Sequence, residues 1–274
     1  MKLVKNALFL AILAASCTAN ASFFVSSSAS YDGKADFKDS NENVKISSYT
    51  LNAGTDFLTL TYKRTDFDWS NNYNLDSLNF IYADLHHSGE ISKKFTYHAG
   101  IGFSSGFEDD FHADENYSIA PRLAIGYKFN NDLSFFGGAY AQFNEADNKF
   151  MPIIGMKYRD DEALGFSGSI AYPATKANYK FNDFISANAT LLAHKEFYQL
   201  SDNSSFAKGG YLFDESIGTS LGVTIKPLSM LSIDAGINCY FDHEYTLYNH
   251  NGDKIGSLEI DPSLGGYVNL RARF

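Results

Sequence analysis

Apolar and polar residues alternate along most of this chain with the period of a β-strand. In the cleanest stretch Phe95, Tyr97, Ala99, Ile101 and Phe103 share one face, and Thr96, His98, Gly100, Gly102 and Ser104 share the other. Tyr117, Ile119, Leu123, Ile125 and Tyr127 repeat the pattern against Ser118, Ala120, Arg122, Gly126 and Lys128. The stretches Ile217 to Ile225 and Leu231 to Phe241 do the same. No segment after residue 21 keeps a helical period for more than a turn or two, so the expectation is an all-β chain. Turn residues punctuate it into strands near 22–37, 45–54, 57–69, 77–87, 93–107, 116–129, 132–143, 149–159, 163–172, 175–182, 184–200, 209–226, 229–248 and 257–274. That count is about 14, and 12 if the weaker boundaries around 45–69 and 163–182 merge. About 18 residues per strand with its connection suit a tilted spanning strand of ~9–11 residues.

The connections alternate in character. Those at Asp39 to Val44, Ser70 to Asp76, Glu108 to Glu115, Ser201 to Lys208 and Asn249 to Gly256 are long and polar. Those at Thr55-Asp56, Asn130-Asn131, Asn182-Asp183 and Lys226-Pro227-Leu228 are short. With both chain ends on the periplasmic side, this is the asymmetry of an antiparallel up-and-down transmembrane β-barrel. Two connections on the long side, Glu145 to Asn148 and Pro173-Ala174, are short exceptions. Prolines fall where a closed ladder tolerates them: Pro121, Pro152 and Pro262 early in descending strands, Pro173 in a loop and Pro227 in a turn.

Composition agrees. Of the 274 residues 45% are hydrophobic and 16% aromatic, which excludes a disordered chain. The net charge of −10 without basic runs argues against nucleic acid as a partner. Outside residues 1–21 nothing approaches the roughly 18 apolar residues of a membrane helix. A soluble sandwich alternates as well, with its apolar face turned inward. Residues 1–21 read as a signal peptide, with Lys2 and Lys5, an apolar stretch from Ala7 to Ala15, and Ala19-Asn20-Ala21 before the mature domain 22–274. Lipidation of Cys17 is the rival reading of that segment. Cys239, between Ile237 and Phe241 on one strand face, reads as a small apolar wall residue.

The last residues place Val268, Leu270, Ala272 and Phe274 on one face, with Tyr267, Asn269, Arg271 and Arg273 on the other. This ending resembles the C-terminal targeting strand of Gram-negative outer-membrane barrels. The resemblance implies export to the bacterial outer membrane, recognition by the barrel-assembly machinery, and contact with outer-membrane lipids and lipopolysaccharide. Two arginines facing lipid near the midplane would each cost roughly 2–4 kcal/mol, so they are expected to face a wet lumen or an interface. The segments Thr65-Asp66-Phe67-Asp68-Trp69, Gly100-Ile101-Gly102-Phe103-Ser104-Ser105-Gly106-Phe107-Glu108-Asp109-Asp110 and Ala171-Tyr172-Pro173-Ala174 resemble those of a family of Gram-negative outer-membrane β-barrels to which no function is assigned. That resemblance implies the fold and says nothing of mechanism.

On this register the wet face receives Arg122, Lys128, Lys157, Arg271 and Arg273, with Asp234, Glu196 and His98. Fixed charges in a low-dielectric wall set ion preference. The cationic excess predicts a narrow, porin-like passive channel for small polar or anionic solutes, its pore lined by Arg122, Lys128, Lys157, Asp234, Arg271 and Arg273. The alternatives are a non-conducting structural or surface-recognition barrel acting through its loops, and an outer-membrane hydrolase built on His98 or His194 with a serine. No nucleophile elbow or triad spacing supports the last, so the chain is read as a non-enzyme without cofactor. Metal is not expected either. The run Glu108, Asp109, Asp110, Asp114, Glu115 lacks the ligand order of a calcium loop and reads as a solvated loop. His86 and His87 are adjacent on one strand and so point to opposite faces, and Asp242-His243-Glu244 lies at a strand end.

Overall fold

The computed structural model of the protein describes residues 22–38, 42–71, 74–109, 111, 117–146 and 148–274. The signal segment, Cys17, Asp110, Asp114 and Glu115 lie outside the described residues. The strands in chain order are β1 (Phe24–Asp36), β2 (Asn43–Gly54), β3 (Leu58–Trp69), β4 (Ser77–Glu90), β5 (Phe95–Phe107), β6 (Tyr117–Lys128), β7 (Leu133–Gln142) and β8 (Lys149–Tyr158). They continue as β9 (Gly165–Tyr172), β10 (Ala174–Lys180), β11 (Ile185–Gln199), β12 (Tyr211–Leu228), β13 (Leu231–Tyr248), β14 (Lys254–Ile260) and β15 (Ser263–Arg273). Each pairs antiparallel with its sequence neighbour from β1 to β13. Segments β14 and β15 both pair with β13 and are two halves of one descending strand, interrupted at Asp261-Pro262. Strand β15 then pairs with β1, from Phe24↔Arg273 to Asp32↔Gly265, and closes the ring. The fold is therefore a closed antiparallel barrel of 14 strands.

Closure is what lipid demands, because an unpaired backbone amide in hydrocarbon has no water to bond. The outer face matches that solvent. Leu85, Leu123, Ile154, Leu221, Ile237 and Leu270 project from the middle of the wall and are all exposed. Phe57, Phe95, Phe129, Phe181, Phe184 and Phe274 form an aromatic ring near the short turns. Tyr31, Tyr49, Phe103, Phe150 and Tyr172 form a second ring toward the long loops. An apolar band between two aromatic girdles is the surface of a membrane-spanning barrel. Cys239 shares this wall, opposite Thr219 and Leu264.

The long-loop end departs from a simple cylinder. The hairpin β9–β10 stops at Pro173, but β8 and β11 run on above it. Freed from β10, β11 crosses the interior and pairs in parallel with β5 at Gln199↔Phe107, where the Glu108 amide donates to the Gln199 carbonyl at 3.0 Å. Gly106 makes this approach possible, since a Cβ there would stand 2.1 Å from the Phe197 carbonyl oxygen. Above the seam, the ring is reduced to the strands that run from β11 through β13 and β1 to β5.

This smaller ring is filled. Val44, Leu75, Leu78, Tyr198, Leu212 and Ile260 are among its fully buried side chains. Aromatic contacts bridge facing walls: Phe67 to Tyr245 at 6.4 Å and Phe80 to Tyr198 at 6.0 Å between ring centroids. Loop 200–210 folds over the top, with Phe206 against Trp69 at 5.3 Å. Asn74 and residues 203–205 bond reciprocally. Each large side chain placed in such a core contributes about 1.5–3 kcal/mol relative to exposure. Glu108, read from the sequence as part of a solvated run, is buried here and accepts from the Ser201 amide at 2.8 Å. Burial raises its carboxyl above the ordinary glutamate range in spite of that bond. The outer mouth is thus closed by a hydrophobic plug made from the strand ends themselves.

Gly106→Ala tests the seam. The added methyl meets backbone, which cannot yield cheaply, so a loss of about 1–3 kcal/mol is expected from overpacking. A lowered urea midpoint of the micelle-folded protein, with barrel formation on gels retained, is the expected outcome.

Candidate functional site

Below the plug the inner face is polar, and several of its charged groups come in pairs. Arg122 on β6 and Asp84 on β4 form a bidentate bridge, both contacts 2.7 Å, with the two side chains mostly buried. Planar matching of guanidinium and carboxylate makes this the strongest type of ion pair, and removing one member of such a pair leaves the other charge exposed to a poor dielectric. His86 Nδ1 lies 3.0 Å from the same carboxylate, and Tyr82 donates to it at 3.2 Å. Lys128 bridges Glu90 at 2.5 Å, and Lys157 bridges Asp160 at 3.0 Å. Asp234 accepts from the Asn188 amide at 3.1 Å, and the Tyr267 hydroxyl lies within 3.5 Å of both groups. Arg271 lies over the Phe24 ring, 4.4 Å from its centroid, and Arg273 follows it on the same face. Each of the six residues expected on the polar face alternates along its strand with apolar neighbours, among them Leu123, Met156, Leu270 and Phe274, that are exposed on the wall. Sequence reading omitted Asp84 and Glu90, which sit on that face two strands from Arg122 and Lys128. Tracking the alternation of β4 down to its end would have found them.

A second layer of charge lies directly under the plug. Lys63 on β3 reaches across to Glu196 on β11 at 2.7 Å, and His194 Nε2 lies 3.2 Å from the same carboxylate. The Tyr198 hydroxyl also donates to Glu196. His243 bonds Asp214 at 2.9 Å, and Asn238 donates to Asp32 at 2.6 Å. His194, Glu196 and Asp214 come close enough together to resemble a metal-ligand set. Glu196 already accepts from Lys63 and Tyr198, and Asp214 from His243, so both carboxylates are bonded within the cluster.

The nucleophile idea is tested by one contact. Ser88 Oγ lies 2.7 Å from His98 Nδ1, which is the right distance for activation. The Arg122 Nε–H, however, donates to His98 Nε2 at 3.0 Å. That bond requires an unprotonated Nε2, so the ring proton sits on Nδ1 and is donated to Ser88. The imidazole cannot accept the serine proton there. His87 lies on the opposite face, as adjacency requires, and bonds the Tyr97 hydroxyl at 2.9 Å.

Several solved structures are similar to this chain, among them three porins or channels. The chain resembles a NanC porin (TM-score 0.44, 6% identity, covering 90% of this chain and 98% of that one). It also resembles a KdgM porin (0.40, 9%, 91% and 99%) and an outer membrane channel from Pseudomonas putida F1 (0.46, 9%, 94% and 97%). No protein-family model and no curated protein matches the chain, so the likeness of its three short motifs to a barrel family gains no support. At these identities the likeness concerns architecture, and no residue role passes from those proteins to this chain.

Turn 159–164 tucks against the barrel: the Asn178 amide donates to the Asp161 carbonyl at 3.2 Å, and Glu162 is held by Lys226 at 2.8 Å and Lys180 at 3.4 Å. The hydrogen bond from Lys226 lowers the Glu162 carboxyl below its ordinary range, with Lys180 adding to the effect. A lowered acid favours the docked turn above the ordinary glutamate pKa of about 4.3, and the benefit disappears as pH falls through the lowered value. Because Glu162 is largely exposed, the latch is worth under about 1 kcal/mol. Hydrogen exchange checks this. Protection of the 159–164 amides, corrected for intrinsic pH dependence, is expected to fall on acidification, and Glu162→Gln is expected to show the lowered protection at neutral pH.

Proposed function

We propose that this chain is an outer-membrane barrel that passes small polar solutes passively. The supporting observation is the direction of its lower ion pairs. Arg122–Asp84 and Lys128–Glu90 each join β6 to β4 on one stretch of wall, and Lys157 bonds the turn next to it. These pairs run along the wall instead of across the lumen, so the interior below the plug is lined and left unspanned. Small side chains, among them Ser28, Ser30, Thr50 and Thr61, face a cavity of about 450 Å³ there. The outer face, with its two girdles, suits a bacterial outer membrane. Lipids and lipopolysaccharide would meet the upper girdle, and the strand ending in Val268, Leu270, Ala272 and Phe274 would engage the assembly machinery.

Arg122, Lys128 and Lys157 carry their own carboxylates, so ion preference falls to Arg271 and Arg273 against Asp234, none of which has an ion pair among the described residues. A weak anion preference is the result. The competing reading is a non-conducting barrel, favoured by the packed plug. Planar-bilayer recording separates the two: the proposal expects small steps in KCl and a reversal potential showing modest anion preference. Replacing both Arg271 and Arg273 by Gln should move that potential toward zero. A silent bilayer across salts and voltages would sink the channel reading.

A further inference from the structure

The plug removes the axial exit, but the wall beside it is open. Lys149 to Ile153 of β8 pair only with β7, and His194 to Tyr198 of β11 pair only with β12, because β9–β10 ends below both. Lys149 reaches across the top of the gap to Glu215 and the Phe213 ring, and below it Phe150 to Ile153 rise about 13 Å, which is tall enough for a small molecule. One cavity of about 550 Å³ occupies it. Inward-facing residues such as Gln142 and His194 line this cavity together with outward-facing Pro152 and Tyr172. A single space bounded by both faces of the sheet passes through the sheet. It also shares His194 with the cavity under the plug and Ile153 with the lower lumen cavity beside His98.

On this basis we infer that the outer exit of the channel is a lateral window between β8 and β11, above the tip of β9–β10, and that it admits small uncharged amphipathic solutes. The inference rests on the channel reading above. Its level in the membrane follows from backbone chemistry. Unpaired strand edges are not tolerated against lipid, so the window is hydrated, and its lip residues Phe150 and Tyr172 belong to the outer aromatic girdle. A solute leaving there enters the interfacial layer instead of bulk water. The solute class follows from the lining. Phe150 at 75% and Ile154 at 66% exposure give the lip an apolar surface. Within, Arg122 is held by Asp84, and Lys149 and Lys195 share Glu215, with Asp242 on the rim as a second carboxylate. Inorganic ions cross the hydrated window with their water, whereas an ionised organic solute filling it would lose water without gaining an uncompensated counter-charge. A molecule with an apolar body and a neutral hydrogen-bonding head meets both kinds of surface.

The test uses the full barrel in a Cys239→Ser background, with Ala193→Cys on one lip, Pro152→Cys on the other and Asn203→Cys over the plug as reference. Each folded variant is labelled with a maleimide polymer and reconstituted into vesicles containing β-glucosidase. Entry of 4-nitrophenyl β-glucoside, which is uncharged and amphipathic, is read as released nitrophenolate. The expected result is that a label on either lip reduces entry to the rate of protein-free vesicles and the label at Asn203→Cys leaves it unchanged. Entry that survives both lip labels, or that stops with the Asn203→Cys label, overturns the window. Potassium chloride currents through the same preparations separate the failures. Unlabelled protein carrying neither current nor glucoside defeats the channel reading itself, whereas current with glucoside entry indifferent to the lip labels defeats only the window.

Discussion

The contact of Phe107 on β5 with Gln199 on β11 organises everything above the membrane midplane. A barrel of this size would otherwise hold an open lumen along its length. One parallel pairing across the interior instead cuts the outer half into a filled ring and an outlying flap made of β6 to β8. The pairing exists because β10 is short, which frees the edge of β11, and because Gly106 lets two backbones meet. The plug and the gap in the wall are therefore two consequences of one displacement: the strand that closes the axial route is the strand that has left its place in the wall.

Energetically the two halves differ in kind. The upper half is stabilised as a soluble protein is, by buried side chains such as Tyr198, Leu212 and Ile260. The lower half is stabilised by its ladder, with lipid as the apolar partner of one face and paired charges on the other. Between them lies the layer of Lys63, Glu196, His194, Asp214 and His243. Buried ion pairs of this sort add little net stability compared with well-packed apolar groups, and breaking one is costly. Their place just beneath the apolar core marks where the polar inner face gives way to the apolar plug. Both faces of the β11–β12 tip are covered, with Tyr198 and Leu212 turned to the plug and Phe197 and Phe213 packed on the other side near Ala146 and Tyr248. That two-sided burial holds the tip across the barrel.

Much of this was legible in the chain. Period-2 alternation, the parity of short and long connections, and the face shared by Val268, Leu270 and Ala272 give the closed barrel directly, and the same count puts Arg122, Lys128, Lys157 and Asp234 on the face opposite the apolar wall. The plug was not read, although it left a trace. Val44 and Ile46, and Phe67 and Trp69, fall on the lumen face yet are apolar and lie toward the long-loop ends of their strands, whereas Tyr245 and Leu247 reach that face only through the register shift at Asp242. Following the polar face along each strand to its end would have exposed that change. The seam left no such trace, since Gly106 is one of 21 glycines and nothing local tells it from the others. The exception to loop parity at Pro173-Ala174 pointed to the gap, but its meaning depends on where β11 goes once unpaired, which is a long-range property. The partners of Arg122 and Lys128 were missed because charge was summed over a few strands instead of being followed across neighbours.

The most direct test of this account is amide hydrogen exchange at Glu108 in the folded barrel. Its N–H is bonded to the Gln199 carbonyl across the interior. Protection equal to that of the adjoining β5 amides is the predicted result. Exchange at the rate of an unstructured loop would contradict the seam, and with it the closed outer mouth.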